Sequence, residues 1–516
     1  MRYRVLAVLL LSAAATQADD RVGRTADRVV AAVRDGAQAT LRGLARPDHA
    51  DPWLVAEELC FRGAHDAAAA FAAAAPHDRN LEKLAAYVAS RRDKEADTKA
   101  REALAAGEAL RITNYTRRAW DELRKIKVAD DPVLKIRVFT ARARALRDLD
   151  ESRRSDRHFL YVGKLAHDLG WRQRALESLR YLAYRYCFNS SSDSPVWSTR
   201  RKLQQGDAAV VFGAPHKQLL AAVMTKDRTW YVPVGKKAAI ETWRARFTVP
   251  RPGEPVVAVD ELRACLVEPL ELGREIKRVF VVPIAPFIDL PWVLLFGDRE
   301  VVYGAGSVGV TAFRPWEGAH GKGVLAVGLP RREGGTAAEQ EARAVGDRFL
   351  VGDKATWDAI DEASDKQPCW RALHFACPLE FADRWSGAHP LLRVWEFRPL
   401  WRWMRTRLGT RPSDLVVVSA DESFRLVYSP TSQRGLAPPA PRAIVSLWGV
   451  DPGATRALMQ RFYELWNGKT PLPACTALKR AQDFVRSRVP WEHPYYWAGW
   501  QLWAAPDPKE PEKDDG

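Results

Sequence analysis

The 516-residue chain is 47% hydrophobic and 28% charged, ordinary for a soluble globular protein and long enough for two or three domains. Its net charge of +15 comes mostly from arginines scattered along both halves among Asp and Glu, which argues against a nucleic-acid partner and leaves only general attraction to anionic surfaces. Six cysteines stand far apart with no C-x-x-C spacing, so neither a disulfide framework nor a cysteine metal site is indicated.

Residues 1–18 have the build of a secretory signal. Arg2 and Arg4 form a positive end, Val5 to Ala15 an apolar run, and Thr16 and Ala18 a small-residue cleavage site. The run is well short of the ~20 residues of a spanning helix, and no Cys follows it to carry a lipid. The expectation is an exported protein, periplasmic or extracellular after cleavage near Ala18, with no membrane span. The other long apolar stretch, Val279 to Phe296, is broken by Pro283, Pro286 and Pro291 and reads as strand, turn and strand.

Residues 19–188 read as helix throughout, rich in Ala and poor in strand formers. Three segments share a pattern of a turn residue followed by small and apolar residues at helical spacing: Gly63 to Ala74, Asn114 to Leu123, and Gly170 to Leu179. They resemble the turn and second helix of tetratricopeptide repeats, in which a small residue lets paired helices approach. The interval from Ala67 to Ala119 to Ala175 is not the regular period of about 34 residues, so helices intervene or the repeats are degenerate. Such an array implies a surface for a protein or peptide partner. The plainer alternative is a helical layer with only a packing role.

Asn189-Ser-Ser-Ser-Asp-Ser-Pro195 opens a polar linker, placed at 189–205. A meander follows, with strands expected at Asp207 to Gly213, Gln218 to Val223 and Thr229 to Val234, then a helix from Ala238 to Phe247. Beyond it the pattern alternates. Glu261 to Leu270 is helical, Arg278 to Pro283 and Gly323 to Leu329 are strands, and a helix carries Glu339 and Glu341. A helix begins at Gly352 to Trp357, and Trp401 to Leu408, Leu458 to Trp466 and Ala477 to Gln482 are also helical. This alternation predicts an α/β fold with a mainly parallel sheet between helices. Residues 506–516, charged and proline-containing, are expected to be disordered.

Chemistry in such a sheet sits just past the carboxyl ends of its strands. Leu415 to Val418, three of them β-branched valines, form a strand covered on both faces, and its end holds Ala420, Asp421 and Glu422. A second strand, Arg371-Ala-Leu-His-Phe-Ala-Cys-Pro-Leu379, ends on Cys377 and Pro378. These two strands, with Arg442 to Asp451 and His493 to Ala498, resemble the CHAT-domain family of caspase-like cysteine peptidases, often joined to tetratricopeptide repeats. The resemblance spans 206–505 and implies a caspase-like fold. In the family the nucleophilic Cys occupies the position of Asp421 and the basic His that of Pro378.

Both members of the dyad are therefore replaced. A carboxylate is a poor nucleophile toward an amide, and Pro378 has neither a proton to give nor a backbone N–H. Cys377 is beside the vacant His position and His374 three residues earlier, but alternation along a strand points these two to opposite faces. His389 and His493 have no matching family role. The spacing of Asp421, Glu422 and His389 does not support a metal site, and no cofactor is expected. The resulting expectation is an inactive caspase-like binding or scaffold protein whose residual cleft comprises His374, Cys377, Asp421, Glu422 and Trp448, with a basic peptide segment as a suitable guest. The alternatives are an endopeptidase with displaced catalytic groups and a structural envelope protein that self-associates through Trp-rich surfaces.

Overall fold

The computed structural model describes residues 24–34, 36–37, 40, 44, 55–56, 59, 65–74, 95–112, 115–127, 132–169, 172–187, 199–247, 251–284, 287–304, 321–329, 336–367, 369–377, 413–421, 423, 442–449 and 451–504. The expected signal, the tail at 506–516, the helix at Trp401 to Leu408, and Pro378, His389 and Glu422 lie outside the described residues. The chain divides into two compact units, Met1–Leu182 and Ala183–Gly516.

The described residues of the first unit are mostly helical. Its principal helices are α1 (His65–Ala74), α2 (Glu95–Ile112), α3 (Thr116–Leu123), α4 (Pro132–Asp148), α5 (Ser152–Asp168) and α6 (Arg172–Tyr186), the last running across the division. The three similar segments coincide with α1, α3 and the start of α6. Two glycines show how the helices approach. A β-carbon on Gly107 of α2 would fall 2.6 Å from Leu123 Cδ2 of α3, and one on Gly163 of α5 would likewise strike Leu179 of α6. The same interval separates both glycine–leucine pairs, and a side chain at either glycine would have to displace its leucine. The carbonyls ending α3 are held by Arg142 of α4, which donates to Leu123 O (2.9 Å) and Ile126 O (2.7 Å).

The second unit is built on one eleven-stranded sheet: β1 (Asp207–Gly213), β2 (Gln218–Thr225), β3 (Thr229–Lys236), β4 (Arg278–Val282), β5 (Glu300–Tyr303), β6 (Val324–Gly328), β7 (Arg348–Val351), β8 (Ala372–Ala376), β9 (Leu415–Ser419), β10 (Arg442–Ser446) and β11 (Trp500–Ala504). The order is β3-β2-β1-β4-β5-β11-β10-β9-β8-β6-β7. Among the described residues, only the β1–β2, β2–β3 and β10–β11 pairings are antiparallel. The expected α/β class, a mainly parallel sheet flanked by helices and preceded by a helical region, is the one found.

Seven helices of this unit are α7 (Lys237–Arg246), α8 (Val259–Leu266), α9 (Trp292–Phe296), α10 (Ala337–Val345), α11 (Trp357–Lys366), α12 (Pro452–Trp466) and α13 (Ala474–Arg486). One face of the sheet packs Leu373, Phe375, Val416, Val418, Ala443 and Val445 with Leu262 and Leu266 of α8 and Ile360 and Ala363 of α11. Alternate residues turn to the other face, where α10 and α12 lie against each other and α10 against β6 and β8. Both ends of α12 are fixed. Asp451 accepts from Ala454 N at 2.8 Å, and Arg371 donates to Asn467 Oδ1 (2.7 Å) and Trp466 O (3.0 Å). A carboxylate at the amino end and a guanidinium at the carboxyl end both suit the helix dipole.

One expectation needs correction. Val279 to Phe296 is not strand, turn and strand, because after β4 the chain forms helix α9, entered from Pro291. Its apolar residues Trp292, Val293, Leu295 and Phe296 are all buried, and over so short a run periodicity does not separate a buried helix from a strand. Strands β5 and β7, four residues each, were not anticipated, since neither stands out from its surroundings as an apolar run. Within the segment 189–205, residues 199–202 are helical, and Thr199 and Leu203 are fully buried.

Candidate binding cavity at the strand ends

The carboxyl ends of β6, β8, β9 and β10, four adjacent parallel strands, open onto one cavity of about 620 Å³. The strands contribute Leu329, Cys377, Ser419 to Asp421 and Gly449, α10 contributes Ala337, Ala338 and Glu341, and α12 with its N-cap contributes Asp451, Pro452 and Thr455. Tyr495 and Tyr496 close one side.

The turn after β9 places Asp421. Ser423 Oγ donates to Val418 O at 2.7 Å and accepts from Ser446 N at 2.8 Å, while Ser446 Oγ donates to Ala420 O. This clasp ties the end of β9 to β10. Asp421 lies directly over Gly449, where a β-carbon would come within 2.8 Å of its Oδ1. The tyrosines are set by a short 3-10 turn, Pro494–Tyr496, capped by His493. His493 Nε2 is 2.7 Å from Glu254 O, which can only accept, so Nε2 carries the proton and Nδ1 accepts from Tyr495 N at 3.3 Å.

Beneath the cavity is a buried polar group that joins β8 to both helices. His374 is fully buried, with Nε2 3.0 Å from Glu341 Oε1 and Nδ1 3.3 Å from the Tyr463 hydroxyl. Burial, reinforced by the charge of Glu341, raises the Tyr463 hydroxyl well above its usual range, so it remains a donor to the imidazole. The same two causes, in the same order, push up the Cys377 thiol.

No curated protein matches the chain. A family model described as the CHAT domain does match, over residues 257–505. This stretch is similar to CHAT domains. Among solved structures, the complex of the pro- and mature domains of RgpB from Porphyromonas gingivalis is similar at 11% identity and a TM-score of 0.32, covering 52% of this chain and 75% of that one. A separase–securin complex of Saccharomyces cerevisiae is similar at 8% identity and a TM-score of 0.39, covering 91% of this chain and 45% of that one, so the chain spans under half the separase chain's length. Strands β1 to β3 precede the matched CHAT stretch yet belong to the same sheet.

Of the cleft residues named from sequence, the structure brings Cys377 and Asp421 to this cavity. His374 lies on the opposite face of β8 from the cluster containing Cys377 and reaches the cavity only through Glu341. Trp448 is buried beside the cavity and does not line it. Its indole N–H instead donates to Tyr495 O at 3.1 Å, supporting the tyrosine wall. Glu341, Asp451, Thr455, Tyr495 and Tyr496 line the cavity without a motif in the sequence that assigns them a role there. Glu341 alone carried a signal, a carboxylate on the apolar face of an amphipathic helix beside Ala342 and Val345. Among the described residues no group of three or more His, Cys, Asp or Glu is placed to hold a metal ion, and no helix is long and apolar enough to cross a membrane.

Proposed function

We propose that this is an exported, catalytically silent CHAT protein that works by binding. Its strand-end cavity receives a peptide guest, and its helical region, similar to tetratricopeptide repeats, contacts a protein partner. The observation that carries the reading is the seating of Asp421 over Gly449 in the cavity wall, and the sequence resemblance aligns that residue with the family's nucleophile. The one cysteine among the cavity-lining residues, Cys377, supports it further, since it is buried and its thiol is pushed away from the thiolate that nucleophilic attack requires. No histidine is among the described lining residues. Export rests on the pattern of residues 1–18.

The test is intact-mass labelling of the full chain with a peptidyl thiol-directed electrophile, with Cys377→Ala as control. The reading expects no adduct, or the same slow adduct on both proteins. A fast single adduct that disappears in Cys377→Ala would overturn it in favour of an endopeptidase with a displaced nucleophile.

A further inference from the structure

The cavity carries two opposite electrostatic poles. The negative pole is Glu341 with Asp421, and no Lys, Arg or His is among the described lining residues, in a chain whose net charge is +15. The other pole is the start of α10. Ala337 and Ala338 line the cavity, and their amides, as the first of a helix, have no carbonyl partner within it. Thr336 at the N-cap makes no side-chain capping bond, and its hydroxyl receives Gln340 Nε2 at 3.0 Å instead. Among the described residues, nothing caps this end of α10, which suits an anion. The start of α12 is not, because Asp451 already accepts from Ala454 N.

A separate observation marks the cavity as built for a polar guest. Thr455 lines it, is 3% exposed, and has an Oγ1 with no hydrogen-bond partner among the described residues. Such a hydroxyl is costly to leave unsatisfied, and a bound ligand would satisfy it. Ala337 and Glu341 are four positions apart, roughly 6 Å along the helix at 1.5 Å per residue. That is about the reach from the carboxylate to the cation of a lysine or arginine.

We propose that the cavity captures a guest bearing a carboxylate and an alkyl cation about one helical turn apart, as a C-terminal lysine or arginine does. The carboxylate takes the amides opening α10, the cation turns to Glu341 and Asp421, and Thr455 bonds the guest between them. This rests on the binding reading above and names the chemistry of its guest. A peptide end and a free basic amino acid share that chemistry.

The test is calorimetric titration of the full chain with four probes: acetyl-glycyl-lysine, its C-terminal amide, acetyl-glycyl-norleucine, and free lysine. The dipeptide acid should bind. Its amide and the norleucine peptide should each bind roughly tenfold more weakly or worse, since each loses one charged contact. Asp421→Asn should weaken the lysine peptide but leave the norleucine peptide unchanged, and Thr455→Val should weaken both. Free lysine binding as well as the dipeptide would also support the proposal and identify the guest as an amino acid. Equal binding of acid and amide, or no binding of any probe to a protein that is folded by circular dichroism, would overturn it. Neither result bears on thiol labelling, so failure here is distinguishable from failure of the catalytically silent reading.

Discussion

Asp421 occupies the space that a side chain at position 449 would need: a β-carbon on Gly449 would fall 2.8 Å from Asp421 Oδ1. The contact joins the ends of β9 and β10 in the cavity wall. Gly449→Ala must therefore displace Asp421 or strain the turn that the Ser423 and Ser446 hydroxyls hold, with an expected cost of about 1–3 kcal/mol. In an Asp421→Ala background the obstacle is gone, and the same substitution should be nearly neutral. Denaturant midpoints of the four proteins in a double-mutant cycle check this. Equal costs in both backgrounds would mean the two positions are independent.

His374 and Glu341 should be coupled more strongly. Substituting leucine for His374 leaves a buried carboxylate without the imidazole it faces, at an expected cost of about 3 kcal/mol, the low end for breaking a buried pair because Glu341 also borders the cavity. The double variant His374→Leu, Glu341→Leu should recover much of the loss. Unfolding in urea reads both, and a double variant as unstable as the sum of the singles would argue against a paired role.

The sheet was largely visible in the sequence because its central strands are unbroken runs of buried residues. Val416, Val417 and Val418 of β9 have no polar face, which marks a strand covered on both sides. Ends such as Asp421 could be placed from the same runs. Less visible was what converges on those ends from elsewhere. Glu341, Thr455 and Tyr495 come from three separate segments, and only long-range packing brings them to one cavity. Trp448 shows the converse: it lies one turn past β10, where a cleft residue would be sought, yet its side chain is spent on packing and on Tyr495 O. Strands β5 and β7 escaped notice because four residues with exposed or half-buried positions carry little pattern.

Alkylation of Cys377 should be slow at neutral pH and accelerate about tenfold per pH unit through pH 9 without levelling, since burial and then Glu341 hold the thiol above its usual range. Removing the charge with Glu341→Gln should favour the thiolate and speed the reaction at fixed pH. Peptide-level mass spectrometry after iodoacetamide pulses gives both rates. A plateau near pH 7 would show an activated thiol and contradict the burial argument.

In the helical unit, His158 titrates at about 4, lowered from 6.5 first by burial and then by the charges of Arg142 and Arg154. Its ring lies 5.3 Å from that of Phe139 and 6.4 Å from that of Trp120. Between these two pKa values the unfolded chain binds a proton that the folded chain does not, so stability must fall as the pH drops from about 6.5 to about 4. Above that window His158 is neutral in both states and contributes no slope. A glutamine at 158 cannot titrate, so the His158→Gln variant should lose this part of the acid sensitivity, and its melting temperature should change less between pH 7 and 4.5 than that of the unmodified protein. Identical pH profiles for the two would mean that the imidazole takes up its proton without opposition from the surrounding rings and guanidinium groups.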